Sequence, residues 1–334
     1  MQVSPSVRAV QVPDENPMHP DFTSIYLIGP KGGQSLTIDS GEAVDRYRWM
    51  LRGYLAAVER AEIGVAAITH HHADHSGNLK WAHEMLKADV SVPANAVSLL
   101  KGKLPSRKNV STLKDGQVIE MGAGVQVQVI GTPGHSVDSV CYYIEDEGVL
   151  FSGDTLLGSS TTTVGDLGLY RQSLRNLVEL PNLKVICPGH GPLVNDPRER
   201  LQMYIKHRDM REQQILKVLE GGGGVSSWDI MLQLYPDIDK RLRRAADNNV
   251  RSHLRQLEEE GRLKVYPGRP RRAASAAKVT RDVEHAKVRQ AVITQAKKLE
   301  SEQRRAEIRM QENPPTGEWR EPPRYELVGR AKDA

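Results

Sequence analysis

His70-His71-His72-Ala73-Asp74-His75 stands at the end of a short apolar, partly β-branched run, residues 63–69, and this junction decides how the chain is read. The run has the length and composition of a buried strand. In extended backbone, residues two apart point the same way, so His70 and His72 can grip one ion while His71 points elsewhere. Asp74 and His75 then reach a neighbouring position. Imidazole and carboxylate donors suit zinc, and a catalytic site built from several of them keeps room for water.

Three further segments follow in order: Thr132-Pro133-Gly134-His135, Ser152-Gly153-Asp154-Thr155 and Pro188-Gly189-His190-Gly191. Six of the 11 histidines of the 334-residue chain lie in these four segments, so the histidines are concentrated where ligands are needed. Each Pro-Gly supplies a rigid turn followed by a permissive residue, which places His135 and His190 into the cleft. Asp154 can bridge two cations with its two oxygens. Two metals about 3.5 to 4 Å apart can share a hydroxide whose pKa they lower toward neutrality. The expected mechanism is attack by that hydroxide, with Asp74 and Asp154 as catalytic residues that orient the metals and bound water supplying the leaving-group proton.

Outward from the motifs, strands and helices alternate. Residues 23–28 and 35–39 read as a hairpin, 43–62 as a helix, 79–88 as a helix and 90–92 as a strand. Strand pairs are expected over 118–130 and 140–152, a helix over 174–180 and a strand over 185–187. The motif residues fall on loops at strand ends, which suits a mixed α/β sandwich with its site along one edge. From residue 197 the chain turns helical: 198–219 is a long charged helix stopped by four glycines, 221–224. Ser226 or Ser227 caps the next helix, and a helix over 246–260 leads into a β-like run at 262–266, an order that resembles a small winged-helix module. Three parts are expected: a catalytic domain over 1–196, the helical module over 197–266, and a basic, Pro-flanked tail over 267–334. In the tail, 273–310 reads as a solvent-exposed helix and the remainder as disordered.

The four histidine and aspartate segments resemble those of the metallo-β-lactamase superfamily. That resemblance implies a four-layered αβ/βα sandwich and two divalent metal ions, with Zn2+ expected. By position, His70, His72 and His135 would bind one metal, Asp74, His75 and His190 the second, and Asp154 both. His71 occupies the variable place of the motif and is expected to be a neighbour of the ligands. Within the superfamily, residues 20–265 are most similar to the β-lactamase-like protein two family. Gly153-Asp154-Thr155-Leu156-Leu157-Gly158, Tyr204-Ile205-Lys206-His207-Arg208, Arg211-Glu212-Gln213-Gln214-Ile215-Leu216 and the helical ending through Leu254 to Gly261 carry that likeness. Animal members of that family are single-stranded RNA endonucleases, and related fungal members release polyketides from carrier proteins by thioester hydrolysis. The resemblance therefore implies either chemistry. The loop from Ser159 to Leu167 departs from the family pattern, in which an acidic and an aromatic residue are expected nearer Asp166.

Two chemistries of the superfamily are disfavoured. A bridging aspartate at 154 is unlike the site of true β-lactamases, and a diiron oxidoreductase would be expected to carry a carboxylate in place of His72. Charge bears on the remaining choice. The formal net charge is +4, but from Arg262 onward 18 Lys and Arg face 10 Asp and Glu, so the tail is +8 and the rest −4. The basic tail, the winged-helix-like module and Arg241, Arg243 and Arg244 favour an RNA endonuclease, through salt-dependent phosphate contacts. The negative main part and an aromatic content of 5% favour a small-molecule thioester, with few rings to stack on single-stranded bases. A third reading is a nucleic-acid-binding protein without turnover. His207 and Arg208 are candidates to reach a substrate phosphate or carboxylate. The sequence leaves the oligomeric state open. No apolar run reaches membrane-spanning length, residues 1–20 lack a secretory signal, and Cys141 and Cys187 form no disulfide framework, so a cytoplasmic protein is expected.

Overall fold

Alternation along each strand determines which of two apolar cores a side chain enters, and that alternation stacks the layers of the first unit. In the computed structural model, residues 1–14, 21–30, 32–59, 61–270 and 319–328 are described. Seven strands form one sheet in chain order: β1 (Gln2–Ser4), β2 (Val7–Pro13), β3 (Phe22–Ile28), β4 (Gln34–Ile38), β5 (Glu62–Ala67), β6 (Asp89–Pro93) and β7 (Val110–Leu113). The first four pair antiparallel, and β4 to β7 pair parallel. The second sheet contains β8 (Val118–Glu120), β9 (Gln126–Gly131), β10 (Val140–Ile144), β11 (Val149–Gly153) and β12 (Val185–Pro188), with β11 and β12 parallel.

Ile25 and Leu27 of β3 point to an outer core, which is covered by α1 (Asp45–Tyr54), α3 (Leu79–Leu86) and the short α4 (Ala96–Leu99). Tyr26 and Ile28 point to the inner core between the sheets, where they meet Val140, Tyr142 and Ile144 of β10. Cys141 and Tyr143 of β10 face the third core, beneath α5 (Leu167–Val178) and the first turns of α6 (Pro197–Leu219). Helix, sheet, sheet, helix is the four-layered αβ/βα arrangement. Burying both faces of each sheet accounts for the near-continuous apolar character of β3, β10 and β11.

Contact density divides the chain into two compact units, Met1–Arg211 and Glu212–Ala334. The second unit holds α7 (Ser227–Leu234), α8 (Arg243–Glu259), β13 (Leu263–Tyr266) and β16 (Arg324–Leu327) around its own apolar cluster, a winged-helix-like order. Ser226 is the N-cap, with a reciprocal capping box to Asp229. A separate two-stranded pair joins β14 (Arg269–Pro270) to β15 (Trp319–Glu321).

Several elements differ from the sequence reading. The first organised stretch is β1 and β2, ahead of residue 23. The signal in β2 is hidden by Arg8, which is 2% exposed and satisfied by the carbonyls of Ser6 and Gly29. The helix expected over 43–62 ends at Tyr54 and closes with a π-turn over Leu55–Glu59. Residues 319–327, read as disordered, form β15 and β16, because their partners lie some 50 to 60 positions earlier in the chain and short-range patterning does not register them. The helix expected over 273–310 lies outside the described residues. Among the described residues no helix is long and apolar enough to cross a membrane.

Candidate metal centre

Parallel neighbours end at the same edge of a sheet, and β4, β5 and β6 bring their C-terminal ends together there. Beyond β5 the chain turns through His72 into the single-turn helix α2 (Ala73–Ser76), which carries Asp74 and His75. Gly153 ends β11 and presents Asp154, and Pro188 ends the adjacent β12 and presents His190. His135 arrives from the turn that precedes β10. All seven residues expected as ligands converge. They form two groups, His70, His72, His135 and Asp154, and Asp74, His75, Asp154 and His190, with donor atoms in each within 4.8 Å of one another.

The two glycines of the Pro-Gly turns act differently. Gly134 has φ +142°, and a Cβ there would lie 2.4 Å from the Tyr170 Cα, so both backbone freedom and close approach demand glycine. Gly189 has no such positive φ. A Cβ there would meet His75 Cε1 at 2.6 Å and Asp154 Oδ1 at 2.8 Å, so this glycine makes room for the second group.

Donor spacing tests whether a cation fits. In the second group His75 Nε2 lies 3.3 Å from His190 Nε2, 3.3 Å from Asp74 Oδ2 and 3.2 Å from Asp154 Oδ1. His190 Nε2 lies 3.0 Å from Asp74 Oδ2 and 3.4 Å from Asp154 Oδ1. Ligands about 2.0 to 2.1 Å from a tetrahedral zinc are separated by roughly 3.3 Å, so these five edges fit one ion. In the first group His72 Nδ1 faces His70 Nε2 at 2.8 Å and His135 Nε2 at 3.1 Å, while Asp154 Oδ2 stands 3.7 Å from His135 Nε2. Three ring nitrogens this close together would share a cation. Asp154 thus offers Oδ1 to one group and Oδ2 to the other, and Oδ1 is buried with no well-directed hydrogen bond of its own.

Electrostatics agree. Burial alone would raise the Asp154 pKa, but His190, His75 and His135 outweigh it and hold the carboxyl well below its usual range. Asp74 is held low in the same way, against burial, by His75 and His190. Burial pushes His70 well down and His72 down to about 4, so both are neutral and able to donate lone pairs. His75 is the exception: burial would lower it, yet Asp39, Asp74 and Asp154 raise it well above its ordinary value. The carboxylates call for positive charge at this point.

The far sides of the rings are anchored, which sets their orientation. His75 Nδ1 lies 2.7 Å from Asp39 Oδ2, and His190 Nδ1 lies 3.0 Å from Thr23 Oγ1. Thr69 Oγ1 joins His70 Nδ1 at 3.1 Å to both oxygens of Asp39 at 3.0 Å. His135 Nδ1 meets the Thr163 carbonyl at 2.8 Å and Thr162 Oγ1 at 3.0 Å. Sequence reading passed over Asp39, taking it for a hairpin end. The available signal was an acid immediately after a strand parallel to the one that delivers the histidines. Arg208, expected as a possible substrate contact, is 1% exposed, donates to the Thr162 carbonyl at 2.7 Å and stacks over Tyr170. His71 belongs to neither donor group.

Residues 19–190 match the Metallo-beta-lactamase superfamily, and residues 226–272 the Beta-lactamase associated winged helix domain. The chain is 33% identical over 240 residues to a Beta-lactamase-like protein 2 homolog of Caenorhabditis elegans, covering 72% of this chain and 79% of that one. It is 35% identical over 218 residues to an atrochrysone carboxyl ACP thioesterase of Aspergillus fumigatus, covering 64% and 66% respectively. Among solved structures it resembles a metallo-beta-lactamase family protein from Thermus thermophilus, with a TM-score of 0.64, 25% identity, and 78% of this chain and 96% of that chain covered. With the layers, the paired donor groups and these matches in agreement, this chain belongs to the metallo-β-lactamase superfamily and is a metal-dependent hydrolase with a dinuclear metal-binding site.

Proposed function

We propose that this hydrolase cleaves an acyl thioester, using two divalent ions that the imidazole and carboxylate donors mark as zinc. In this reading His70, His72 and His135 hold one ion, Asp74, His75 and His190 the other, and Asp154 both. Such an ion pair, when bound, supplies an activated water and positive charge for the substrate carbonyl oxygen. Asp154 sets the separation of the two positions through its two oxygens, and Asp74 fixes the second position against His75 and His190. Asp39 and the threonines keep each ring directed at its ion. A thiol leaves readily as thiolate near neutrality, so the leaving group makes little demand on a protein acid.

The observation that carries the choice of substrate is the use made of the arginines beside the site. Arg200 donates to the carbonyls of Leu157 and Ser160, and Arg208 to that of Thr162, so both guanidinium groups are engaged in holding the hydroxyl-rich loop next to His135. A polyanionic substrate requires cationic partners at the cleft. The likeness to a protein named as a carrier-protein thioesterase supports the same reading. Single-stranded RNA cleavage, which the sequence alone puts slightly first, is the second reading, supported by Arg243, Arg244, Arg251 and Arg255 on α8 of the other unit.

Turnover of an acyl thioester and of a short labelled single-stranded RNA, measured side by side on the metal-replete protein, tests the proposal. Chelator-sensitive thioester hydrolysis that Asp154→Asn abolishes is the expected result. Chelator-sensitive RNA cleavage with an inert thioester would overturn it.

A further inference from the structure

One histidine of the opening motif is left over by the metal chemistry, and it is held as firmly as the ligands. His71 Nδ1 lies 2.8 Å from Asp138 Oδ1, and the Asp138 side chain is 0% exposed. Ser136 Oγ donates to the same carboxylate oxygen and stands 3.2 Å from His71 Nδ1. The His71 carbonyl accepts from Ser76 Oγ at 2.8 Å, so its backbone is tied as well. A carboxylate only accepts, so the pairing places the hydrogen on Nδ1 and leaves the lone pair on Nε2. This carboxylate–imidazole arrangement orients a histidine when the imidazole binds metal, yet His71 lies outside both donor groups.

The ring is only partly covered. The His71 side chain is 27% exposed, Nδ1 faces the buried carboxylate, and Nε2 makes no hydrogen bond among the described residues. The ring centre is 4.8 Å from that of His72, a member of the first donor group, so the partly exposed ring borders the centre. Burial of a carboxylate is unfavourable unless it is well partnered, and Asp138 Oδ2 has no hydrogen-bond partner. The contact with Asp138 thus fixes the ring and leaves Nε2 as an acceptor beside the first donor group.

We infer that His71 Nε2 is a specificity-determining acceptor for the amide N–H that follows the sulfur in a pantetheine-type thioester; the inference rests on the thioester reading above. In such a substrate the amide nitrogen is three bonds from the sulfur, about 4 Å away, a span comparable with the separation of the His71 and His72 rings. No proton is transferred: the interaction selects substrate and leaves the hydrolytic step to the metal centre. Replacing Asp138 by a residue that can donate would reverse the tautomer and turn Nε2 into a donor.

The test compares kcat/KM for S-acyl-N-acetylcysteamine with that for the matched S-acyl-2-mercaptoethyl acetate, in which an ester oxygen replaces the N–H. The wild-type protein is expected to prefer the amide by roughly three- to tenfold, the range of one hydrogen bond. His71→Phe should bring the ratio near one through KM, at unchanged metal content. His71→Gln, which returns an acceptor, should recover part of the preference, and Asp138→Asn should lower it. An equal loss on both substrates, or a preference that survives His71→Phe, would overturn the inference and leave the thioester reading standing. A wild-type protein that hydrolyses neither compound would defeat the thioester reading itself, and the inference with it.

Discussion

Asp39 ties the two halves of the donor set together. It is 2% exposed, adopts φ +66°, orients His75 through Oδ2 and, through the Thr69 hydroxyl, also orients His70. One ring belongs to each group, so loss of this carboxylate should be felt at both metals, unlike loss of Thr23, which supports His190 alone. Asp39→Ala is expected to weaken metal retention by about 10- to 100-fold, the usual range for such outer partners. Competition with a chromogenic chelator measures this directly, and Asp39→Asn should fall between the two because it keeps an oxygen acceptor. Wild-type retention by the alanine variant would remove Asp39 from the account.

Helix α6 acts on the centre without contributing a ligand. Arg200, Tyr204 and Arg208 recur every fourth residue, so they share one face. Arg200 and Tyr204 hold the Ser160 carbonyl, Tyr204 OH accepts from the Leu157 amide, and Arg208 holds the Thr162 carbonyl. The loop so held supplies the partners of His135. His207 lies beside this face, and burial, with Arg208 and Arg211 nearby, lowers its pKa from 6.5 to about 4. A histidine depressed in the folded state is protonated more readily when unfolded, so stability is unaffected above pH 6.5 and falls as pH drops from 6.5 toward 4. His207→Gln should match wild type at pH 7 and be more stable at pH 5. The difference should be on the order of 1 kcal/mol once screening of this half-exposed group is allowed for. Urea midpoints of both proteins at the two pH values give the comparison, and a variant whose advantage over wild type is no larger at pH 5 than at pH 7 would contradict it.

At the scale of the whole molecule, the second unit is closed by a strand far along the chain. Leu263 to Tyr266 pair with Arg324 to Leu327, Val225 exchanges backbone hydrogen bonds with Tyr325, and Tyr325 and Leu327 pack on the cluster formed by Trp228, Ile230, Leu254 and Leu257. Removing residues 319–334 should destabilise this unit by about 2 to 4 kcal/mol, from two lost apolar side chains and one lost ladder. Proteolysis of the truncated chain should then cut first within 212–270. A truncated protein as resistant there as the intact chain would show β16 to be dispensable.

The residues that gather into the two donor groups and the layering of the first unit were legible in the sequence. Ligand residue types sit at spacings set by local backbone geometry, and strand and helix periods are visible within a few residues, so the seven donors and the sandwich could be read directly. The extent of α6, a serine cap at 226 or 227 and the break at 221–224 were legible for the same reason. Whatever depends on neighbours distant in sequence came from the folded arrangement. It recruited Asp39 and the Thr163 carbonyl behind the rings, turned Arg208 from a candidate substrate contact into a buried support, and paired β16 with β13. These roles follow from which strand ends share an edge and which loops cross them, and a buried polar residue acquires its meaning only from the partner that burial imposes.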